Sequence, residues 1–164
     1  MPELSGGTAA ADLQPRGERG FELPFRRLPG NDLPLPAYAH RGDSGLDLHA
    51  AEDLEIQPGA RAAVATGFAL AIPDGYEGQV RMRSGLALRH GLAVPNAPGT
   101  IDSPFRGELK VIVVNLGEEP VRIERGMRFA QLVIAPVARV RPREVAELPP
   151  SERGEGGFGH TGLR

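Results

Sequence analysis

Glycine and proline recur along the whole chain and leave little room for long helices. The 164 residues include 22 glycines and 16 prolines, together almost a quarter of the sequence. Proline lacks a backbone donor, and glycine loses the most conformational entropy when it is ordered, so both interrupt helices. This frequency of turn residues is typical of many short strands joined by turns. The sequence therefore predicts an all-β fold.

The segments between these turns predict about ten short strands and one short helix. The helix is expected at Ser84–His90, capped by Ser84 and ended at Gly91. The clearest strand covers 110–115, and its continuous apolar run indicates a core position. Further strands are expected at 21–28, 46–48, 54–56, 61–72 (two strands, broken near Thr66-Gly67), 79–82, 121–123, 128–134 and 138–145. This pattern favours a β-sandwich or β-barrel.

The chain is long enough for one domain with its own core, flanked by two segments of different composition. Residues 1–20 are rich in Gly, Ala and charge, and we expect a disordered leader there. Two prolines at 149–150 separate the predicted β body, 21–148, from a glycine-rich C-terminal arm, 149–164. By itself such an arm is typical of a frayed terminus. The arm also carries Arg153 and Phe158, however. Because a guanidinium can bind phosphate and an aromatic ring can stack on a base, these two residues indicate a lid that closes over a nucleotide.

Charge and composition exclude several classes of function. The formal net charge is −2, which argues against a nucleic-acid surface or a polybasic membrane anchor. The absence of cysteine excludes thiolate chemistry and disulfides and fits a reducing cytoplasm. No apolar run approaches the roughly 18 residues of a membrane span, and no secretory signal is visible at the N-terminus. We therefore expect a cytoplasmic protein whose partners are neither nucleic acid nor membrane.

A possible phosphate cradle lies at the predicted strand-to-helix junction. Arg83, Ser84 and Gly85 place a guanidinium, a hydroxyl and free backbone amides together there. The segment is not a Walker loop, because Gly-Lys-Ser/Thr is absent. An ordinary capped helix beside an exposed arginine is an equally good interpretation.

Three carboxylates stand out in turn-rich segments. Asp102 follows Thr100-Ile101 in a predicted hairpin, where an ionised carboxylate can accept a proton from water and backbone groups can face a base edge. The alternative is a common Asx turn. Asp43 and Asp47 flank Gly45 and could hold Mg²⁺ directly or through its waters, although a surface turn also explains them.

Taken in order, five segments resemble the five motifs of the trimeric dUTP pyrophosphatase family. They are 45–48, 83–87, 99–107, 126–131 and 153–159. The resemblance extends from about Leu28 to Gly162. It implies a jelly-roll-like β barrel, in agreement with the predicted strands. It also implies a homotrimer in which neighbouring subunits share active sites and the C-terminal arm closes over a site.

The resemblance also implies an activity, the hydrolysis of dUTP to dUMP and pyrophosphate. Asp102 corresponds to the general base that activates water for in-line attack on the α-phosphorus. Mg²⁺ would bridge the triphosphate oxygens, and Asp47 would reach it through water. The implied substrate-binding residues are Arg83, Ser84, Gly85 and Gln131 for phosphate, Asn96, Thr100, Ile101 and Lys110 for uracil, Arg153 for the γ-phosphate and Phe158 for stacking. Gly99 is implied to bind substrate as well. The reaction would supply dUMP for dTMP synthesis and keep uracil out of DNA.

Two residues depart from the family pattern. Phe105 stands where the family usually has Tyr beneath the deoxyribose, so the ring can still exclude a 2′-hydroxyl but one hydrogen bond is lost. His160 stands where the family usually has Ser, and a neutral imidazole there could replace one phosphate hydrogen bond. Its protonation near the ordinary pKa of about 6.5 would add positive charge beside the γ-phosphate.

Two other functions are compatible with the same fold. A dCTP deaminase, or a bifunctional deaminase and pyrophosphatase, would release ammonia from dCTP. The stacking segment 156–159 favours the pyrophosphatase. A non-catalytic β-barrel nucleotide-binding module would need neither Asp102 nor the arm.

Overall fold

The structure is a computed structural model that describes residues 20–157. Within this range the chain forms ten strands and one helix, so the predicted all-β class and its single short helix are confirmed. The elements are β1 Phe25–Arg27, β2 Leu46–His49, β3 Leu54–Ile56, β4 Arg61–Leu70, β5 Tyr76–Met82, α1 Ser84–His90, β6 Leu92–Ala93, β7 Gly99–Ile101, β8 Glu108–Asn115, β9 Val121–Ile123 and β10 Arg128–Pro136. No helix in this described range is long and apolar enough to cross a membrane.

The strands pair in three antiparallel sheets. One has the order β1-β4-β8-β6, the second has the order β2-β10-β5-β7, and the third pairs β3 with β9. Buried side chains of both four-stranded sheets join in one hydrophobic cluster, including Val64 and Leu109 from the first and Val80 and Phe129 from the second. The core therefore lies between the two larger sheets, as expected of a jelly-roll-like fold.

β8 occupies the predicted core position with one of its two faces. Leu109, Val111 and Val113 are buried, but Lys110 is exposed and Ile112 is 42% exposed. Only one face of an antiparallel sheet needs to meet the core, so an apolar run can still alternate between buried and exposed positions. The predicted core position is confirmed for this face, and the other face of β8 is partly exposed.

The predicted break near Thr66-Gly67 is a bulge within one strand. The register of β4 on β8 shifts between Ala65 and Ala69, and Gly67 has a φ of 72°. The Thr66 hydroxyl donates to the Leu109 carbonyl at 2.7 Å, and the Gly67 N–H donates to Glu108 at 3.1 Å. These bonds satisfy polar groups at the irregularity, so the strand continues through it.

Two other predicted strands needed correction, and two short strands were missed. The first strand covers only Phe25–Arg27 of the predicted 21–28. Residues 138–145 form no strand, because β10 ends at Pro136 and this exposed segment pairs with no strand of the described chain. β6 and β7 were missed; they have two and three residues, too few for a clear alternation.

The helix ends as predicted but begins differently. Gly91 closes it with a left-handed φ of 67°, and a Cβ there would lie 2.6 Å from the Gly117 nitrogen, so only glycine fits. Ser84 is the first helical residue and not the cap. The cap position belongs to Arg83, whose backbone is extended and whose side chain makes no capping hydrogen bond.

Asn115 is a fully buried polar residue that connects three segments. Its amide nitrogen donates to the carbonyls of Ile56 at 2.9 Å and Glu119 at 2.8 Å, and its amide oxygen accepts from Gly117 N–H at 2.9 Å. Asn115→Ala removes all three bonds and leaves buried groups unpaired. We expect the free energy of unfolding to fall by about 2–4 kcal/mol.

Urea denaturation measures this loss. Leu116→Ala is the control, because Leu116 is 70% exposed and its truncation should change stability by less than about 0.5 kcal/mol. Equal, small effects of both substitutions would contradict the role given to Asn115.

Candidate functional site

A cleft of about 780 Å³ lies beside the start of α1. We call it the arginine cleft, because Arg81, Arg83, Arg89 and Arg128 line it. It brings together the residues predicted for phosphate and metal, namely Asp47, Arg83, Ser84, Gly85 and Gln131.

Sheet register places three of the lining side chains in one row. Gln131 on β10 pairs with Asp47 on β2 and with Arg81 on β5. Residues directly opposite on neighbouring antiparallel strands share a face of the sheet. The row therefore presents a carboxylate, an amide and a guanidinium to the cleft side by side.

Asp47 is almost buried and is held by two arginines. It is 9% exposed, and its carboxylate lies 2.9 Å from Arg128 Nη1 and 3.6 Å from Arg83 Nε. A buried carboxylate needs such partners because burial disfavours its charge. Arg83 and Arg128 are therefore both paired with the one carboxylate of Asp47, which compensates one of their two charges.

Gly45 makes room for the side chain of Gln131. A Cβ on Gly45 would lie 2.7 Å from Gln131 Oε1 and 3.1 Å from its Cβ. Gln131 would have to move if residue 45 carried any side chain. The sequence motif contained Gly45 without explaining it, and the structure supplies this steric reason.

The carboxylates of the cleft fit a metal held through water better than one bound directly. Among residues 20–157, no group of three or more His, Asp and Glu side chains is arranged to hold a metal ion. The Asp43 carboxylate accepts from the His40 N–H at 2.8 Å, while Asp47 faces its two arginines. A carboxylate has about four acceptor positions, so Asp47 can still accept a hydrogen bond from a water of a hydrated cation.

A second cleft, of about 210 Å³, lies at the β7 hairpin. We call it the hairpin cleft. The four residues predicted to read uracil line it together with Gly99, namely Asn96, Thr100, Ile101 and Lys110. Its other lining residues are apolar: Val80, Val94, Val111 and Ile112. An apolar pocket with a few polar groups suits a flat, polar-edged ring.

Asp102 and Phe105 occupy the turn that follows β7 and line neither of these clefts. The Phe105 N–H donates to the Asp102 carbonyl at 3.0 Å. This bond uses the backbone, so it is not an Asx turn, and the carboxylate makes no hydrogen bond within the described residues. Arg106 Nη1 donates to the carbonyls of Ser103 at 2.5 Å and Phe105 at 2.7 Å, which fixes the turn.

The predicted site is divided within one chain. The arginine cleft and the hairpin cleft share no lining residue within the range 20–157. Arg153 lies outside both, with its Nε donating to the Gly156 carbonyl at 2.7 Å. Phe158 and His160 lie outside the described residues. The described part of one chain thus presents two separate groups of predicted site residues.

Sequence reasoning assigned no role to three of the arginines that line the arginine cleft. Arg128 stands inside the motif at 126–131, Arg81 lies two residues before the motif at 83–87, and Arg89 stands on the predicted helix. A single arginine on a helix or strand is usually a solvated side chain. Only the register and the fold show that Arg81, Arg89 and Arg128 share one cavity.

His49 is a titratable group beside the Asp47 pair. Its Nδ1 is buried and has no hydrogen-bond partner in the described chain. Burial lowers the pKa of His49 below its ordinary 6.5, and the charges of Arg128 and Arg83 act in the same direction while Asp47 opposes them. The folded chain therefore favours neutral His49.

This lowered pKa predicts a pH dependence of stability. The unfolded chain binds a proton at His49 more readily than the folded chain does. The contribution of neutral His49 to the free energy of unfolding is therefore fully present above pH 6.5. It declines as the pH falls from 6.5 through the lower pKa of the folded state. Urea denaturation between about pH 5 and 8 should show a smaller decline for His49→Asn than for the unaltered chain. His40→Asn, at an exposed histidine, is the control, and identical pH profiles for all three proteins would contradict this account.

The fold and clefts define a jelly-roll-like β domain with an arginine-rich cavity suited to an anionic ligand. The dUTPase family model matches residues 31–162 of the sequence. Because this match covers most of the chain, the chain belongs to the dUTPase family.

Individual relatives agree with this assignment. The deoxyuridine 5'-triphosphate nucleotidohydrolase of Zymomonas mobilis is 54% identical over 144 residues, covering 87% of this chain and 99% of that protein. The solved Staphylococcus bacteriophage 80alpha dUTPase with dUpNHpp has a TM-score of 0.81 at 30% identity, covering 87% of this chain and 99% of that one. A mutant dUTPase from S. aureus phage phi11, described as coordinating a structural Mg(II) ion, has a TM-score of 0.73 at 26% identity, with 79% and 100% covered.

Proposed function

We propose that this chain hydrolyses dUTP to dUMP and pyrophosphate. One observation carries the proposal: the residues matched to uracil line one cleft, and those matched to phosphate line another. Membership of the dUTPase family and the printed activity of a relative at 54% identity support the same reaction.

Asp102 is our candidate for the general base. Its carboxylate is exposed and makes no hydrogen bond within the described residues, so it is free to accept a proton from a water molecule. The water oxygen then bonds to the α-phosphorus, and the bond from this phosphorus to its bridging oxygen breaks in line. Pyrophosphate leaves with the bonding pair.

The two clefts divide the recognition of the nucleotide. Arg83, Ser84, Gly85 and Gln131 bind phosphate oxygens, and the hairpin cleft reads the edge of uracil. Phe105, 41% exposed beside the candidate base, covers the deoxyribose and excludes a 2′-hydroxyl. Its ring lies so close to Gly107 that a Cβ there would be 2.8 Å from Phe105 Cζ, which limits the positions the ring can take.

Magnesium fits this site as part of the metal–nucleotide substrate. Bound to the triphosphate, it neutralises charge that develops on the leaving pyrophosphate. Asp47 would accept hydrogen bonds from its waters, consistent with a nearly buried carboxylate that keeps free acceptor positions.

A homotrimer with shared sites would unite the two clefts. Because the clefts share no lining residue in the described chain, the hairpin cleft of one subunit would face the arginine cleft of another. The arm, 149–164, would close over this joint site as a lid, with Arg153 on the γ-phosphate, Phe158 on uracil and His160 near the phosphates. We also propose a cytoplasmic enzyme whose product feeds dTMP synthesis.

One assay tests the activity against its alternatives. Purified protein is incubated with dUTP or dCTP, with and without Mg²⁺, and dUMP, pyrophosphate and ammonia are quantified. We expect Mg²⁺-dependent dUMP and pyrophosphate from dUTP alone. Ammonia from dCTP would favour the deaminase, and nucleotide binding without any product would favour a non-catalytic module.

A further inference from the structure

The positive charge of the arginine cleft is unevenly compensated. The cleft is lined by four arginines and His40 but only two carboxylates, Asp43 and Asp47. Asp47 pairs with Arg83 and Arg128, and Asp43 lies 3.6 Å from His40 Nδ1. Within the described chain, the charges of Arg81 and Arg89 therefore remain without a carboxylate partner.

Arg81 is held in place by a neutral group. Its Nη2 donates to Gln79 Oε1 at 2.6 Å, and Gln79 Nε2 in turn donates to Glu77 Oε1 at 2.8 Å. These residues alternate along β5 and share one face of the strand. The amide orients the guanidinium without cancelling its charge, and sheet register places it beside Gln131.

Arg89 packs against the backbone of Gly85. A Cβ on Gly85 would lie 3.0 Å from Arg89 Nη2, 3.3 Å from Nη1 and 3.4 Å from Cζ. The guanidinium can lie this close to the chain only because residue 85 has no side chain. Arg89 thus stands over the proposed phosphate cradle on the side of α1, while Arg81 stands beside it on β5.

We propose that Arg81 and Arg89 select the polyphosphate end of the nucleotide, so that the cleft holds a triphosphate and releases a monophosphate. The inference rests on the proposed function, which it extends by two residues. Arg83 and Arg128 are engaged by Asp47, so a further anionic group gains most from the two guanidinium groups that lack a carboxylate. A monophosphate presents fewer oxyanions and has less to gain from them.

Binding measurements on four single variants and one double variant test this assignment. Arg81→Met and Arg89→Met remove the charge and keep an aliphatic stem, and Arg89→Lys keeps a point charge. The double variant combines the two methionine substitutions. Arg122→Met is the matched control, because Arg122 is exposed on β9, pairs with Glu124 at 3.7 Å and lines no part of the cleft. Thermal melting first establishes that each variant is folded.

Calorimetry with the dUTP analogue dUpNHpp, inorganic tripolyphosphate and dUMP, at one Mg²⁺ concentration, gives the readout. We expect each methionine substitution to weaken the binding of dUpNHpp and of tripolyphosphate about 5- to 20-fold. The binding of dUMP should weaken less than about 3-fold. Arg89→Lys should recover part of the loss. In steady-state assays the KM for dUTP should rise by a larger factor than kcat falls, and binding should depend less steeply on salt.

The possible failures are distinguishable. Unchanged dUpNHpp binding by a folded double variant, with dUTP hydrolysis intact in the unaltered chain, overturns the inference alone. An equal loss of binding affinity for dUMP and for dUpNHpp also overturns the inference, because the two arginines would then not discriminate the polyphosphate from the monophosphate. If the unaltered chain neither binds dUpNHpp nor hydrolyses dUTP, the proposed function itself fails.

Discussion

Asp102→Asn is expected to lower kcat for dUTP hydrolysis by about 10²- to 10⁴-fold and to leave nucleotide binding nearly intact. Asparagine has almost the same size as aspartate, but its amide cannot accept the proton of the attacking water. The fold should tolerate the change, because the Asp102 side chain is exposed and its turn is closed by the backbone bond from Phe105.

Single-turnover assays and titration with dUpNHpp separate these two effects. Ser103→Ala is a matched control, because it alters the same turn without removing the candidate base. Unaltered turnover in Asp102→Asn would reject Asp102 as the base. Loss of binding and turnover together would instead assign Asp102 to substrate positioning.

Ending the chain after Pro150 is expected to produce the second large loss. This truncation removes Arg153, Phe158 and His160, which the proposed lid places on the γ-phosphate, the uracil and the phosphates. A lost guanidinium contact and a lost stacking contact together predict a decrease in kcat/KM of about 10²- to 10³-fold. All ten strands of the described chain end by Pro136, so the core and the expected trimer should persist.

Size-exclusion chromatography and dUTP turnover measure both parts of this expectation. The full-length Arg153→Met variant is the control for a specific contact, and it should lose part of the activity without any change in assembly. Full activity of the truncated protein would restore the interpretation of the arm as a frayed terminus.

Local sequence patterns were sufficient to predict features that depend on a single element or a single hairpin. Gly91 ends the helix because a left-handed residue is needed there, and this requirement is visible in the sequence. The residues that line the hairpin cleft lie close together because most of them belong to one hairpin, from Asn96 to Lys110. The division of the chain into leader, body and arm stays a prediction.

Features that depend on contacts between distant strands could not be read in advance. The bulge at Gly67 depends on Glu108, which is 41 residues away and satisfies its N–H. The outward position of Ile112 depends on which face of β8 meets the core. The guanidinium of Arg89 lies close to the backbone of Gly85 in the arginine cleft because residue 85 has no side chain. The sequence around these two residues does not predict this contact.

The separation of the two clefts changes what counts as the working unit of this protein. If copies of the chain join the two clefts as proposed, a folded single chain carries both groups of predicted site residues but completes no site by itself. Folding of the single chain and competence for chemistry are then different quantities: the first is an intramolecular property of the core, and the second depends on how many copies meet. Selection on the outer faces of the sheets would therefore act on activity as directly as selection on Asp102.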